Sequence, residues 1–302
     1  MKIIVTGGAG FLGSNLVEEL VRLGDDVVII DNFSTGSKKN LTSVRKKIKI
    51  IRAPVHRALG TKGLKSKQIF HLGIPSSSPM YRDNPFLIAE ALNDFVSVFE
   101  WAKRNHSKVV YASTSSLYRG CKTPHRENLV SEPFDYYTEV RITMERLARV
   151  YYDLHKVSSV GMRFFSIYGP REHAKGKYAN NISQFLWGMR LDEPPEIYGD
   201  GKQTRDFVHV SDVVNACIMA SKKKIDCEAI NVGTGKGTSF NHVIKLLNKL
   251  LEKSIEPIYC PNPIKNYVYH TLADLTKARK LLGYQPSVDL DEGVRQLVTM
   301  GG

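Results

Sequence analysis

A chain of 302 residues, 42% hydrophobic and 24% charged, is long and apolar enough to bury one large core or two smaller ones, which excludes a disordered or fibrous protein. The formal net charge of +13 gathers at Lys38, Lys39, Arg45, Lys46, Lys47 and Lys49 and again at Lys222, Lys223 and Lys224. No nucleic-acid motif accompanies it, so it reads as a solvated basic surface, with attraction of anionic ligands as the functional alternative. The 4 cysteines, Cys121, Cys217, Cys227 and Cys260, lack CxxC spacing, and no apolar run approaches the ~18 residues of a membrane span. These features predict a reducing, cytoplasmic setting without disulfides, zinc or membrane anchor, and an N-terminus that enters a core strand does not read as a signal peptide.

Lys2 to Thr6 is a short apolar β-branched run, as a buried parallel strand requires. Gly7, Gly8, Gly10 and Gly13 break it, and Ser14 to Leu23 follows as an amphipathic helix with Leu16, Leu20 and Val21 on one face and Gly24 behind it. A second buried strand, Asp26 to Asp31, completes a β-turn-α-β unit of the ~30-residue size used for dinucleotides. Glycine at Gly7, Gly10 and Gly13 lets backbone, together with Phe11 and Leu12, approach a pyrophosphate at a helix start, where free N–H groups and the dipole favour negative charge. Asp31 is placed to accept from both ribose hydroxyls and to repel a 2′-phosphate, which favours NAD over NADP. Asn32, Ser34, Thr35 and Gly36 form a polar turn suited to wrapping that ribose.

Lys49 to Arg52 and Gln68 to Leu72 are expected as the third and fourth strands, and Pro54 ends the third. Pro85 to Arg104 reads as a helix striped by Ile88, Leu92, Phe95, Val96 and Phe99. Val109 to Ala112 is the fifth strand. The hydroxyls of Ser113, Thr114, Ser115 and Ser116 follow it, where open α/β sheets bind ligands. A long helix over Asp135 to Lys156 carries Val140, Met144, Leu147, Tyr151 and Leu154, and Ser159 to Phe165 is the sixth strand. Beyond Tyr168 the composition turns to glycine, proline and polar residues, with a short helix over Ile182 to Met189. Phe207 to Val210 and Ala229 to Gly233 are strand-like; Phe240 to Leu251 is a helix capped by Ser239; and a helix over Leu275 to Leu282 stops at Gly283.

Tyr137 and Arg141 stand four apart and share a helix face. A fixed cation beside a phenol favours phenolate, a usable general base, and Thr114 is a candidate partner for a substrate hydroxyl or carbonyl. A surface pair is the plain alternative.

The chain resembles the extended short-chain dehydrogenase/reductase family, specifically nucleotide-sugar epimerases of the UDP-glucose 4-epimerase type. Thr6 to Gly13 matches the loop TGGAGFIG, Ser113 to Tyr118 the serine-rich segment, and Pro133 to Glu145 the P-x-S-x-Y-x-x-x-K-x-x-x-E block, with Tyr137 at the tyrosine. Arg163 to Arg171, Tyr198 to Phe207 and Thr271 to Tyr284 match R-[YF]-F-N-V-Y-G-P-R, YGDGxQxRDF and T-x-A-D-x-x-K-A-x-x-x-L-G-[YF].

The resemblance implies an α/β fold: a Rossmann doubly wound parallel sheet with a smaller C-terminal α/β substrate domain. It implies an NAD domain over 1–165 with a segment near 206–233 returning to it, and a nucleotide-sugar domain from 166–205 and 234–302. Tyr137, Arg141 and Thr114 would be catalytic. Leu72, Gly73 and Asn93 would join Gly7, Gly10, Phe11, Leu12, Gly13, Asp31, Asn32, Ser34, Thr35, Gly36, Tyr137 and Arg141 around NAD. Thr114, Ser115, Ser166, Asn180, Asn181, Tyr198, Arg205 and Phe207 would meet the substrate, with Arg205 on its phosphates. The implied reaction is epimerisation at C4 of a UDP-hexose through a 4-keto sugar, in a homodimer built on the two long helices, without metal, nucleic acid or membrane. Four positions depart from the pattern: Arg141 replaces lysine, Ala53-Pro54-Val55 replaces G-D-[IVL], Gly73-Ile74 replaces Ala-Ala or Ala-Gly, and Ser166 replaces asparagine. They keep open a 4,6-dehydratase, a decarboxylase, or a catalytically weak nucleotide-sugar- or NAD-binding protein. The absence of an Asp-Glu pair after the fifth strand argues against the dehydratase.

Overall fold

The computed structural model describes residues 1–60, 63–129, 131–132, 134–263 and 267–300. Its first half alternates strand and helix: β1 (Lys2–Thr6), α1 (Phe11–Arg22), β2 (Asp26–Asp31), β3 (Ile48–Arg52), α2 (Val55–Ala58), β4 (Gln68–His71), α3 (Ser78–Asp83), α4 (Leu87–Asn105), β5 (Lys108–Thr114), α5 (Tyr136–His155) and β6 (Ser159–Phe164). The chain then leaves the sheet for β7 (Ser166–Tyr168), α6 (Asn181–Arg190), β8 (Glu196–Tyr198), β9 (Thr204–Arg205) and β10 (Phe207–His209). It comes back through α7 (Val210–Lys222) and β11 (Cys227–Val232) and ends with β12 (Thr238–Ser239), α8 (Phe240–Leu251), β13 (Ile258–Cys260), α9 (Thr276–Leu282) and α10 (Leu290–Thr299).

The main sheet has seven strands in the order β11-β6-β5-β4-β1-β2-β3, all parallel. Strand order reverses between β1 and β4, where Thr6 lies opposite His71, so a crevice opens at the carboxyl ends of these two strands. Helices cover both faces, as the near-continuous apolar strands demand. Leu16 and Leu20 of α1 pack with Val213 and Val214 of α7 on one side. On the other, Phe95 and Phe99 of α4 pack with Val140 and Met144 of α5. Away from the sheet, α6, α8 and α10 close a third core through Leu186, Leu247 and Leu297.

Local chemistry fixes the ends. Asp135 closes a capping box on α5 with Thr138, and Ser239 caps α8 by accepting from His242 N–H. Gly24, at φ +85°, takes the left-handed position after α1. Several expectations shift. α1 starts at Phe11 rather than Ser14, and Ser113 and Thr114 belong to the end of β5. Leu154 and Val96 are exposed, outside the buried stripes of α5 and α4. The strand-like Phe207 to Val210 is β10 up to His209, and Val210 instead opens α7, a helix over a stretch for which the sequence predicts no element.

Candidate active site

The glycine turn is dictated by contact. A Cβ on Gly7, at φ +68°, would lie 2.5 Å from Gly73 Cα, and one on Gly13 would lie 2.0 Å from the Gly7 carbonyl oxygen. Glycine at 73 has the same cause: a Cβ there would sit 2.8 Å from Gly7 N. Thr6 Oγ1 ties the layer together, contacting His71 Nδ1 at 2.8 Å and accepting from Gly73 N–H at 3.1 Å. His71 is wholly buried, and burial pushes its pKa down to about 3, so the ring is neutral.

At the tip of β2 the Asp31 carboxylate accepts from Ala9 N–H at 2.8 Å and from Phe33 N–H at 2.7 Å. Burial outweighs these bonds and raises its pKa. Asp31, Asn32, Ser34, Thr35 and Gly36 line a cleft of about 180 Å³ with Gly7, Gly10, Leu72 and Gly73. Pro54, at the N-cap of α2, brings no carboxylate, but Glu90 and Asp94 of α4 reach the same cleft. Asn93 does not: the neighbouring helix positions Ala91 and Asp94 face the cleft, and Asn93 points to solvent.

A larger cavity of about 330 Å³ continues from the glycine turn. Gly7, Gly10, Phe11, Leu12, Gly13, Thr35 and Leu72 wall one end, and Thr114, Ser115, Tyr137, Arg141, Ser166 and Asn180 the other. Thr114 stands at the end of β5, its Oγ1 accepting from Ser116 N–H at 3.1 Å. Arg141 is 2% exposed; its Nη2 donates to the Pro75 carbonyl at 2.7 Å, while its Nε has no partner. The Tyr81 ring packs 5.8 Å from the Tyr137 ring. Pro133, which opens the tyrosine block, lies outside the described residues.

Asn180 caps α6: its Oδ1 accepts from Ile182 N–H at 3.0 Å and its Nδ2 donates to the Ile167 carbonyl at 3.0 Å. The buried Glu172 carboxylate holds this wall by accepting from Asn180 N–H, Ser183 Oγ and Lys175 Nζ. Ser76, Lys175 and Tyr178, which no motif singles out, also face the cavity.

Asn181, Tyr198 and Arg205 meet in a separate pocket of about 500 Å³, with Phe185, Phe240 and Tyr267. The Arg205 guanidinium lies 5.4 Å from the Phe240 ring and 5.2 Å from the Tyr267 ring. Phe207 is not in this pocket. It is buried in the core against Phe240 and Tyr168, because β10 pairs with β7 and turns that side chain inward. Next to Arg205, the fully buried Asp206 accepts from Thr234 N–H and Oγ at 2.6 Å, Gly235 N–H at 2.9 Å and Ala273 N–H at 3.0 Å, pinning the loops that carry the pocket. Among the described residues no group of His, Cys, Asp or Glu could hold a metal ion, and no helix is long and apolar enough to cross a membrane.

A doubly wound sheet with a glycine turn, an acid at the tip of β2 and a tyrosine–cation pair over the crevice defines a dinucleotide-binding protein of the short-chain dehydrogenase/reductase architecture. The model of the NAD dependent epimerase/dehydratase family matches residues 3–233, and the chain belongs to that family. A putative UDP-glucose 4-epimerase of Methanocaldococcus jannaschii is 32% identical over 98% of this chain and 97% of its own length. UDP-glucuronic acid decarboxylase 1 of Arabidopsis thaliana is 31% identical over 99% of this chain and 69% of its own. The structure of Thermotoga maritima UDP-glucose 4-epimerase with UDP-glucose superposes with a TM-score of 0.93, at 30% identity, over 99% of this chain and 98% of that one.

The cofactor of the family is NAD, and the residues present fit it. Gly7, Gly10 and Gly13 line the cavity that continues from Asp31 to Tyr137, and the buried Arg141 Nε is an unused donor at the crevice.

Proposed function

We propose that the protein is an NAD-dependent nucleotide-sugar epimerase acting at C4 of a UDP-hexose. The observation that carries this reading is that Tyr137, Arg141 and Thr114 share one cavity with the glycine turn. Bound NAD supplies a reversible hydride acceptor beside the sugar. Gly7, Gly10, Phe11, Leu12 and Gly13 would take its pyrophosphate, and Asp31, Asn32, Ser34, Thr35 and Gly36 its adenosine ribose. Tyr137 Oη removes the proton from the 4-hydroxyl and later returns one to the keto oxygen. Thr114 Oγ1 donates to that oxygen and Ser115 holds the sugar. Arg141 orients the tyrosine and the nicotinamide ribose. Ser166, Asn180, Asn181, Tyr198 and Arg205 take the UDP moiety.

In domain terms, 1–165 with 206–233 forms the NAD unit and 166–205 with 234–302 the sugar-nucleotide unit. Two copies pair through α4 and α5, whose exposed Val150 and Leu154 suit an apolar contact; a dimeric mass by light scattering is expected.

Incubation with a panel of UDP-sugars, with product analysis and assay of NAD released on denaturation, tests the reading. Interconversion of C4 epimers with retained NAD supports it; loss of carbon dioxide from a UDP-uronate identifies a decarboxylase. The second reading, a weakly catalytic binding protein, draws on Arg141 donating to Pro75, and predicts nucleotide-sugar binding without turnover.

A further inference from the structure

At the amino ends of β4, β5 and β6, on the edge of the sheet opposite the crevice, lies a cavity of about 310 Å³. Lys67, Lys103, Lys108, Lys156, Lys223 and Lys224 line it, with His106 and His155, and no Asp or Glu does. Of these lysines only Lys103 has a carboxylate within ion-pair distance among the described residues, Glu100 at 2.6 Å. Lys67 Nζ reaches the Asn105 carbonyl, Lys156 Nζ the Asp153 carbonyl and Lys108 Nζ the Lys223 carbonyl. These are bonds to backbone and do not neutralise the ammonium groups; Asp226, outside the lining, is the acid that acts on Lys108. Lys108 is partly buried, and desolvation pulls its pKa down to about 8.

One ordinary cause of such a cluster is compensation of helix ends. α4, α5 and α7 all finish here, each with a C-terminal charge of roughly −0.5. Together they offset only about a quarter of the lysine charge. The remainder borders the concave volume.

We infer that this cavity is a binding site for a compact anion carrying several linked phosphates. The shape favours a small ligand over a nucleic acid or a lipid surface. The site is a pit, not a face, and no Phe, Tyr or Trp lines it to stack a base. Ala102, Val157 and Ile225 give it a buried apolar floor, and the Ser158 hydroxyl at its wall has no hydrogen-bond partner among the described residues. A linear triphosphate, whether inorganic or carried by a nucleoside, is the chemistry that a pit lined by six lysines suits.

Calorimetric titration of the full chain, saturated with NAD so that the crevice is filled, tests this with inorganic tripolyphosphate as the probe. Binding is expected, weakening with salt, and falling roughly 10-fold or more in Lys223→Ser/Lys224→Ser and in Lys108→Met. The double variant alters two exposed side chains, so its melting temperature and NAD affinity should match the starting protein. Equal affinity for tripolyphosphate and adenosine triphosphate shows that the phosphate chain alone is read, and a stronger nucleotide response lost in the same variants identifies the nucleoside-borne source. No binding of either, or binding unchanged in both variants, overturns the site. A single-stranded oligonucleotide or phosphatidylserine vesicle held more tightly than tripolyphosphate, and released by the same changes, overturns the small-ligand assignment.

Discussion

The Arg141 guanidinium carbon lies 5.0 Å from the centre of the Tyr137 ring, one helical turn away, while its Nη2 is committed to the Pro75 carbonyl. Among the described residues no carboxylate pairs with this arginine; its other contact is Nη1 to Met144 Sδ at 3.5 Å. Tyr137→Phe keeps the ring and deletes the proton acceptor; turnover should fall ~10²-fold or more with substrate affinity little changed. Arg141→Lys keeps a cation on the same helix face and should retain substantial turnover, whereas Arg141→Met should lose most of it. Pre-steady-state rates across pH for the three variants check this. Indifference to both Arg141 changes would remove that residue from the chemistry.

Selection of NAD over NADP should rest on Asp31. Its carboxylate is buried and already receives two backbone N–H groups, so a 2′-phosphate brought beside it would meet a poorly screened negative charge. The starting protein should bind NAD more tightly than NADP, and Asp31→Asn should narrow the ratio chiefly by improving NADP. Dissociation constants for both dinucleotides against both proteins give the answer; equal affinities before the change would show the position has been misread.

Arg205, held between Phe240 and Tyr267, presents a fixed charge to the pocket beneath α6. Arg205→Ala should weaken nucleotide-sugar binding by on the order of 2–5 kcal/mol and leave NAD binding nearly intact. Titration of each ligand separately makes the distinction, and a parallel loss of both would point to collapse of the neighbouring Asp206 junction instead.

His71 should make the fold acid-sensitive. Its ring is neutral in the folded chain, with a pKa near 3, but accepts a proton near pH 6.5 once unfolded. The unfolded state therefore binds more protons between these values, and stability falls as pH falls through that window. This group alone should remove roughly 1 kcal/mol between pH ~7 and ~5.5. Urea unfolding of the starting protein and of His71→Gln should show a shallower pH slope in the variant, even though the variant is less stable at neutral pH.

Much of the architecture follows from local sequence. The β1-α1-β2 unit is legible because each part has one purpose: β-branched residues in the strands, glycines where Gly7 meets Gly73, and an acid at the tip of β2. α8 is equally plain, with Ser239 as cap and a clean apolar stripe. α7 was hidden for the opposite reason. It is sandwiched between the sheet, α1 and α9, so only the narrow stripe of Ser211, Asn215 and Lys222 is exposed and the polar signal is thin. α10 did carry a signal, Asp289 as cap with Asp291 and Glu292 in the first turn, that was not taken up. In the candidate site, the resemblance points to segments that line the cavities, but not always to the side chain that faces them. Asn93, implied beside NAD, and Phe207, at the end of the Tyr198 to Phe207 block, both point away from the cavities, since rotation by a single residue on a helix or strand turns a site position into a surface or core one.

The return of β11 to lie beside β6 has a consequence for biosynthesis. β6 is buried along its whole length and is bordered by β5 on one side and β11 on the other. Everything from Ser166 to Asp226 must leave the ribosome before that second border exists. Until then the nascent chain carries an apolar strand with an open row of peptide groups, the kind of edge that pairs with other chains. Covalently, the smaller lobe is thus begun inside an unfinished sheet. A product truncated after Phe165 is expected to be a substrate for chaperones and proteases, not a free-standing nucleotide-binding module.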